Sequence, residues 1–273
     1  MIWTVLAFIP APSSNGFNIG PLRVTYYGIL VTTGVVLGWM LTKRRFLAGG
    51  GSVEHVEKIL LRMVIWGFIG ARLAYVSTHL SRFEGEWWKV IAIWEGGLAL
   101  YGGLAGGALA IWWTCRQLDV RMSMFLDALA PGLPLAQAVG RWGNYFNQEL
   151  FGTPSTLPWA VEIEPQYRPP EYAAYETFHP TFLYESLWNF ALAGSILWLG
   201  KRYASLEGRL IGIYFIGYGL MRFLLELIRT DTEFRFAGLS RNGWVSIGVV
   251  LIGVLVLTWK RSHGPILETA EEE

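Results

Sequence analysis

Seven apolar runs, each about the length needed to cross a hydrocarbon layer, constrain this chain more tightly than any other feature. A spanning helix needs about 20 mostly apolar residues. Such runs cover 22–41, 59–75, 96–113, 125–139, 182–199, 210–228 and 245–259. The fourth is short and is interrupted by Pro131 and Pro134. The expected fold is an all-α integral membrane protein of about seven transmembrane helices, forming a single polytopic domain over 1–273. Charged residues make up 16% of the chain, against about 25% in soluble domains, so the apolar runs are not offset elsewhere. The 14 Trp suit a protein touching two membrane–water interfaces.

Between the fourth and fifth runs lies a polar segment, 141–180, that cannot span. It holds Pro154, Pro158, Pro165, Pro169 and Pro170 and is expected to form an extracytoplasmic head. Lys43, Arg44 and Arg45 follow the first run, Arg116 and Arg121 the third, Lys201 and Arg202 the fifth, and Lys260 and Arg261 the seventh. By the positive-inside rule that side is cytoplasmic. The amino terminus then faces out, the carboxyl end and its acidic tail 268–273 face in, and segment 231–242 lies outside. Arg82, Lys89, Arg168, Arg235 and Arg241 fall on the outer side, so the bias is partial. The apolar start has no Lys or Arg ahead of it and meets Pro10 and Pro12 at once, which is not a signal peptide. A net charge of +1 gives no field that would draw nucleic acid. The single Cys115 excludes a disulfide within the chain and reads as a packing residue. The four His are scattered, so no metal site is expected, and no phosphate loop, dinucleotide fingerprint or nucleophile elbow is present.

Arg at the centre of a spanning helix costs about 2.5–3.5 kcal/mol and needs a partner or a wet cavity. The sixth run carries Tyr218, Arg222, Glu226 and Arg229, spaced four, four and three, which places them on one helical face. Glu226 can pair with Arg222 or Arg229, and one Glu leaves one Arg over. That surplus suggests an incoming anion such as a lipid phosphate, while a structural ion pair near the outer interface is the plainer alternative. The segment from Gly140 through Arg141, Trp142, Gly143, Asn144 and Asn147 to Glu149 brackets an Arg with glycines and amides. Arg suits phosphate oxygens, and glycine admits close backbone approach; a simple turn is the other reading. Gly102 with Gly106, and Gly103 with Gly107, have the spacing for close helix packing. Tyr101 precedes them and is placed to donate a hydrogen bond to substrate. Tyr27, Arg72 and Tyr75 read as interfacial anchors or site residues, His179 as a cap or hydrogen-bond partner, and Asp127 as the cap of the fourth helix.

These residues resemble the prolipoprotein diacylglyceryl transferase family. The resemblance rests on Trp94-Glu95-Gly96-Gly97-Leu98, on Gly102-Gly103-Leu104, and on Gly140-Arg141-Trp142-Gly143-Asn144 through Asn147, Glu149 and Gly152. It continues with His179-Pro180, Leu183-Tyr184-Glu185, and Tyr218-Gly219 with Arg222, Glu226 and Arg229. Tyr26-Tyr27-Gly28 and 70–75 match the family's first two helices, and the similarity runs from about Gly20 to Trp259 in order. It implies an enzyme of the bacterial plasma membrane that takes a diacylglyceryl group from phosphatidylglycerol. The group is placed on the lipobox cysteine thiol of a prolipoprotein as a thioether, releasing glycerol phosphate, with no cofactor. The partners implied are phosphatidylglycerol, the prolipoprotein signal peptide and membrane lipids. The implied catalytic residues are Arg141, Arg222, Tyr101, Tyr27 and Glu226. Arg141, Asn144, Glu149, Tyr75, His179, Tyr218 and Arg229 would bind substrate, with Glu226 holding Arg222. Two positions depart from the family pattern. Tyr101 stands where the family usually has His, and Gly243 where it often has Gln. A tyrosine is a poor base at neutral pH, with an unperturbed pKa of about 10, so this position is expected to hydrogen-bond substrate. Two other classes remain open. The charged stripe could be a transporter's path, although no internal repeat supports it. A structural scaffold would leave the surplus positive charge without a purpose.

Overall fold

The computed structural model describes residues 8–229 and 235–259. Segment 231–234, the cations Lys260 and Arg261, and the tail 268–273 lie outside the described residues. Nine α-helices appear among them: α1 (Tyr26–Ala48), α2 (Val53–Thr78), α3 (Leu100–Gln117), α4 (Met122–Leu129), α5 (Gly132–Gly140), α6 (Trp142–Asn147), α7 (Thr181–Arg202), α8 (Leu210–Glu226) and α9 (Arg241–Thr258). The three short ones, α4 to α6, follow one another within Met122–Asn147, so the helices form seven rods. Val53–Thr78, Met122–Asn147 and Arg241–Thr258 are long and apolar enough to cross a membrane by length and composition. Met40, Leu61, Leu73, Leu104, Leu187 and Leu251 are exposed on the rods, while Arg72, Asp127, Glu185, Asn189 and Glu226 are buried. Apolar outside and polar inside is the arrangement expected where the surroundings are lipid.

Helix limits depart from the apolar runs for physical reasons. Residues Leu22–Thr25 form strand β2, paired antiparallel with β1 (Gly16–Ile19), and α1 starts only at Tyr26, where the Thr25 hydroxyl accepts from the Gly28 N–H. The intervening Gly20 has φ +58°, the positive value a two-residue hairpin turn demands. Helix α2 begins six residues before its apolar run because Ser52 caps it, accepting from the His55 N–H; its first turns are polar and extend past the apolar layer. Gly96 and Gly97, at φ +83° and +75°, hold the chain out of helix until Leu100. Pro131 separates α4 from α5, whereas Pro134 is tolerated in the first turn of α5. Helix α8 ends at Glu226, so Arg229 lies beyond the stripe. Its backbone instead bridges Gly152. The head expected from Arg141 is helical through Asn147, and irregular chain begins at Gln148, whose φ is +51°. Two-residue strands β3 (Val161–Glu162) and β4 (Thr177–Phe178) pair there over a small core of Phe151, Val161, Ile163, Phe178 and Phe182. A last two-residue pair, β5 (Arg235–Phe236) and β6 (Leu239–Ser240), leads into α9.

Rods α2 and α3 meet backbone to backbone. A Cβ on Gly102 would come 2.4 Å from the Gly70 carbonyl oxygen, and one on Gly106 2.3 Å from that of Trp66, so only glycine fits. Cys115 is buried in the core shared by α1 to α4, with Phe46, Leu60 and Phe125. Asp127 does not cap its own helix. It sits within α4 and accepts from the backbone N–H groups of Gly208 and Leu210, capping the start of α8 from a neighbouring rod.

Candidate active site

Three rods place polar side chains in one buried region. Arg141 is the junction between α5 and α6. Its Nη2 lies 2.6 Å from Glu185 Oε2 on α7. Trp142 Nε1 donates to Ser186 Oγ at 3.0 Å, and Ser186 Oγ donates to the Ala138 carbonyl at 2.8 Å, which locks that junction against α7. On α8, Arg222 Nη2 lies 3.0 Å from Glu226 Oε2, one helical turn away as its spacing predicts. Both carboxylates are buried, which favours their pairing with the guanidinium groups over isolation.

Tyr218 joins the two pairs. It lies within electrostatic range of Arg141, Glu185, Arg222 and Tyr101, and its ring stacks on Tyr214, centroids 5.8 Å apart. The region therefore receives groups from the α5–α6 junction, α7 and α8, with half-exposed Tyr101 of α3 at its edge. One turn deeper, Gln137 Nε2 donates to the Tyr214 hydroxyl at 3.0 Å. Buried Arg222 Nη1, Gln137 Oε1 and Asn189 Oδ1 have no hydrogen-bond partner among the described residues. Buried orphans of this kind cost about 1–3 kcal/mol each.

A second line of contacts leads from Arg141 toward the head. Arg141 Nη1 reaches Asn144 Oδ1 at 3.4 Å; the Asn144 amide donates to Glu149 Oε1 at 2.8 Å, and the Asn147 amide to the same oxygen at 3.2 Å. Gly143 serves packing rather than ligand approach, since a Cβ there would lie 2.6 Å from the Tyr27 ring. That contact brings Tyr27, at the start of α1, against α6. His179 Nδ1 lies 3.1 Å from the Tyr184 hydroxyl, which also accepts from Trp159 Nε1 at 3.0 Å. Gly152 donates its N–H to the His179 carbonyl, and Thr153 donates to that of Ile228, so the head is stitched to the chain just before Arg229.

Tyr75 is engaged elsewhere. Its hydroxyl accepts from Arg82 Nη1 at 2.6 Å, and its ring stacks on His79 at 4.3 Å. Buried Arg72 beside it gives Nε to Val90, Nη1 to Gly96 and Gly97, and Nη2 to Lys89 and Ala92, all backbone carbonyls. With every face of its fork used, Arg72 shapes the 80–99 loop.

Two expectations change. Glu185, given no role in the sequence, pairs with Arg141, and the surplus inferred from Glu226 between Arg222 and Arg229 on one stripe does not hold as drawn, since Arg222 takes Glu226 while Arg229 lies past the end of α8. The signal was Glu185 and Asn189 four apart on an apolar helix. At the other departure, Gly243 borders a cavity of about 60 Å³ that Glu226 also lines. Its neighbour Asn242 supplies an amide 3.4 Å from Glu226 Oε1.

Residues 15–259 match the model of a family described as prolipoprotein diacylglyceryl transferase. A Streptomyces coelicolor protein named phosphatidylglycerol–prolipoprotein diacylglyceryl transferase 2 is 40% identical over 266 residues, covering 96% of this chain and 84% of that one. A Cutibacterium acnes protein of the same name, without the number, is 41% identical over 261 residues, covering 94% and 88%. A Bifidobacterium adolescentis protein, also so named, is 38% identical over 283 residues, covering 98% and 84%.

Proposed function

The chain belongs to the prolipoprotein diacylglyceryl transferase family, and from that premise we propose how the Arg141–Tyr218–Arg222 cluster carries out the transfer. The enzyme moves the diacylglyceryl group of phosphatidylglycerol to a prolipoprotein. The acceptor is the lipobox cysteine thiol. Its thiolate attacks the glycerol carbon that bears the phosphate ester. The carbon–sulfur bond forms as the carbon–oxygen bond breaks, and the electron pair departs on glycerol phosphate. The product is a thioether.

The leaving phosphate gains negative charge in the transition state, so fixed positive groups aimed at it accelerate the step. Arg141 and Arg222 supply them. Each is paired with its own glutamate, so the site holds an anion through the donors its guanidinium groups have to spare, not through net charge. Arg222 Nη1, buried and without a hydrogen-bond partner among the described residues, is one such donor. Glu185 and Glu226 orient the forks, and Asn144 with Glu149 carries that restraint toward the head. Arg229 and Tyr218 complete the phosphate surroundings. Tyr27, Tyr101 and His179 are the candidates to take or relay the thiol proton, whose unperturbed pKa is about 8.5.

The observation that carries this reading is that two arginines on separate rods, Arg141 and Arg222, are each held by a buried glutamate, with Arg222 Nη1 left without a hydrogen-bond partner among the described residues. The cations in the last turns of α1, α3 and α7, with Arg121 just past α3, support seven spans with the amino terminus outside, the head 141–180 extracytoplasmic and the carboxyl end in the cytoplasm of a bacterial inner membrane. Transport of lipid or solute along the same arginines is not favoured, since the relatives are named transferases. The test is the mass of a lipobox peptide after incubation with purified protein and phosphatidylglycerol. A gain of one diacylglyceryl group is expected from the wild type and none from Arg141→Ala. Full modification by Arg141→Ala would remove Arg141 from the step.

A further inference from the structure

A groove of about 620 Å³ runs along the outside of α2 and α3, away from the arginine cluster, a size within the roughly 300–1,000 Å³ of small-molecule sites. Gly106 and Ala110 form its floor, and Trp66, Leu109 and Trp113 stand along it, each more than half exposed. The small floor residues are what leave the space between the two tryptophans.

One end of the groove is cationic. Arg62 Nη1 donates to Gln117 Oε1, the last residue of α3, and reaches Thr114 Oγ1 at 3.4 Å. Its Nε and Nη2 have no hydrogen-bond partner, and its charge no carboxylate partner, among the described residues. Arg116 lies over the Trp112 ring at the same end, 5.3 Å from its centroid. Steadying the carbonyl end of α3 accounts for Nη1 of Arg62, but not for the other donors or for the aromatic trough beside them.

We propose that this groove binds one anionic phospholipid, with its phosphate on Arg62 and an acyl chain along Trp66, Leu109 and Trp113. A cationic head site joined to an apolar trough complements that amphiphile. A zwitterionic lipid would bring its own positive charge against Arg62, and a second copy of this chain would have to supply a carboxylate. The bound lipid is a resident, not the reacting donor. Tyr101 and Gln117 lie 16 positions apart on α3, about 24 Å at about 1.5 Å per residue. With the head outside, the Arg62 end opens to the cytoplasmic leaflet.

The purified full-length protein is photolabelled with phosphatidylglycerol or phosphatidylcholine carrying an acyl-chain diazirine, and the labelled peptides are mapped. The phosphatidylglycerol probe should label 109–117 about tenfold more than the phosphatidylcholine probe, whose phosphate is the same but whose choline cation is repelled by Arg62. Arg62→Gln should remove most of that preference, and Trp113→Ala, a change at an exposed position, should lower labelling independently of Arg62. Both variants should keep wild-type transfer activity, which also shows that they fold. Arg141→Ala should keep the groove label. Equal labelling by the two probes, label undiminished in both groove variants, or loss of label in Arg141→Ala would overturn the assignment. So would cross-linking of one copy to another through Leu109→Cys in place of lipid labelling. None of these results bears on the transfer reaction, whose failure would show in the peptide mass.

Discussion

At the scale of the residue, the site depends on pairings rather than on isolated charges. Arg141 and Arg222 stand out in the sequence because each breaks an apolar context, and Glu226 stands one helical turn from Arg222. Glu185 was equally visible as an acid on an apolar helix, but its value comes from a partner 44 positions away in the chain, a distance no local pattern spans. Arg72 was visible and ambiguous for the same reason, since five carbonyls from a loop decide that it is structural. Glu185→Gln keeps the size of the side chain and removes its charge, leaving Arg141 steered by Asn144 alone. The transfer rate is expected to fall by roughly 10- to 100-fold, the scale of a lost charge-assisted bond, while membrane insertion and thermal stability change little. A wild-type rate in this variant would make Glu185 a bystander.

At the scale of the element, hydropathy located the rods and missed their ends. Hydropathy measures what lies in the apolar layer, whereas caps decide where a helix begins. Ser52 starts α2 outside that layer and Thr25 holds α1 back behind a hairpin. The glycine spacing on α3 was legible as a packing surface, and the closest approaches fall at Gly102 and Gly106, with Gly103 and Gly107 looser. Asp127 was misread because a capping residue can serve another helix. Gly106→Leu should force α2 from α3, lowering stability by at least about 1–3 kcal/mol, the usual cost of overpacking. Thermal unfolding in detergent reads this as a clear drop in Tm. An unchanged Tm would mean that the two helices do not need their backbones in contact.

At the scale of the whole molecule, an apolar exterior encloses a polar interior. The proposed orientation puts the cations near the ends of α1, α3 and α7 in the cytoplasm and the head outside. In a Cys115→Ser background, Tyr167→Cys in the head should react with a membrane-impermeant maleimide in intact cells. Ser205→Cys, between α7 and α8, should react only after permeabilisation. The reverse pattern would invert the molecule and place the head in the cytoplasm.

The central claim is that Arg141 and Arg222, carried by different rods, act on one phosphate. A double-mutant cycle on the transfer rate tests it most directly, using Arg141→Lys, Arg222→Lys and both together, since lysine keeps the charge and loses the fork. If the two guanidinium groups grip the same leaving group, the double variant should lose far less than the product of the single losses. Losses that simply multiply would mean that the arginines work independently, and the shared phosphate site would have to be abandoned.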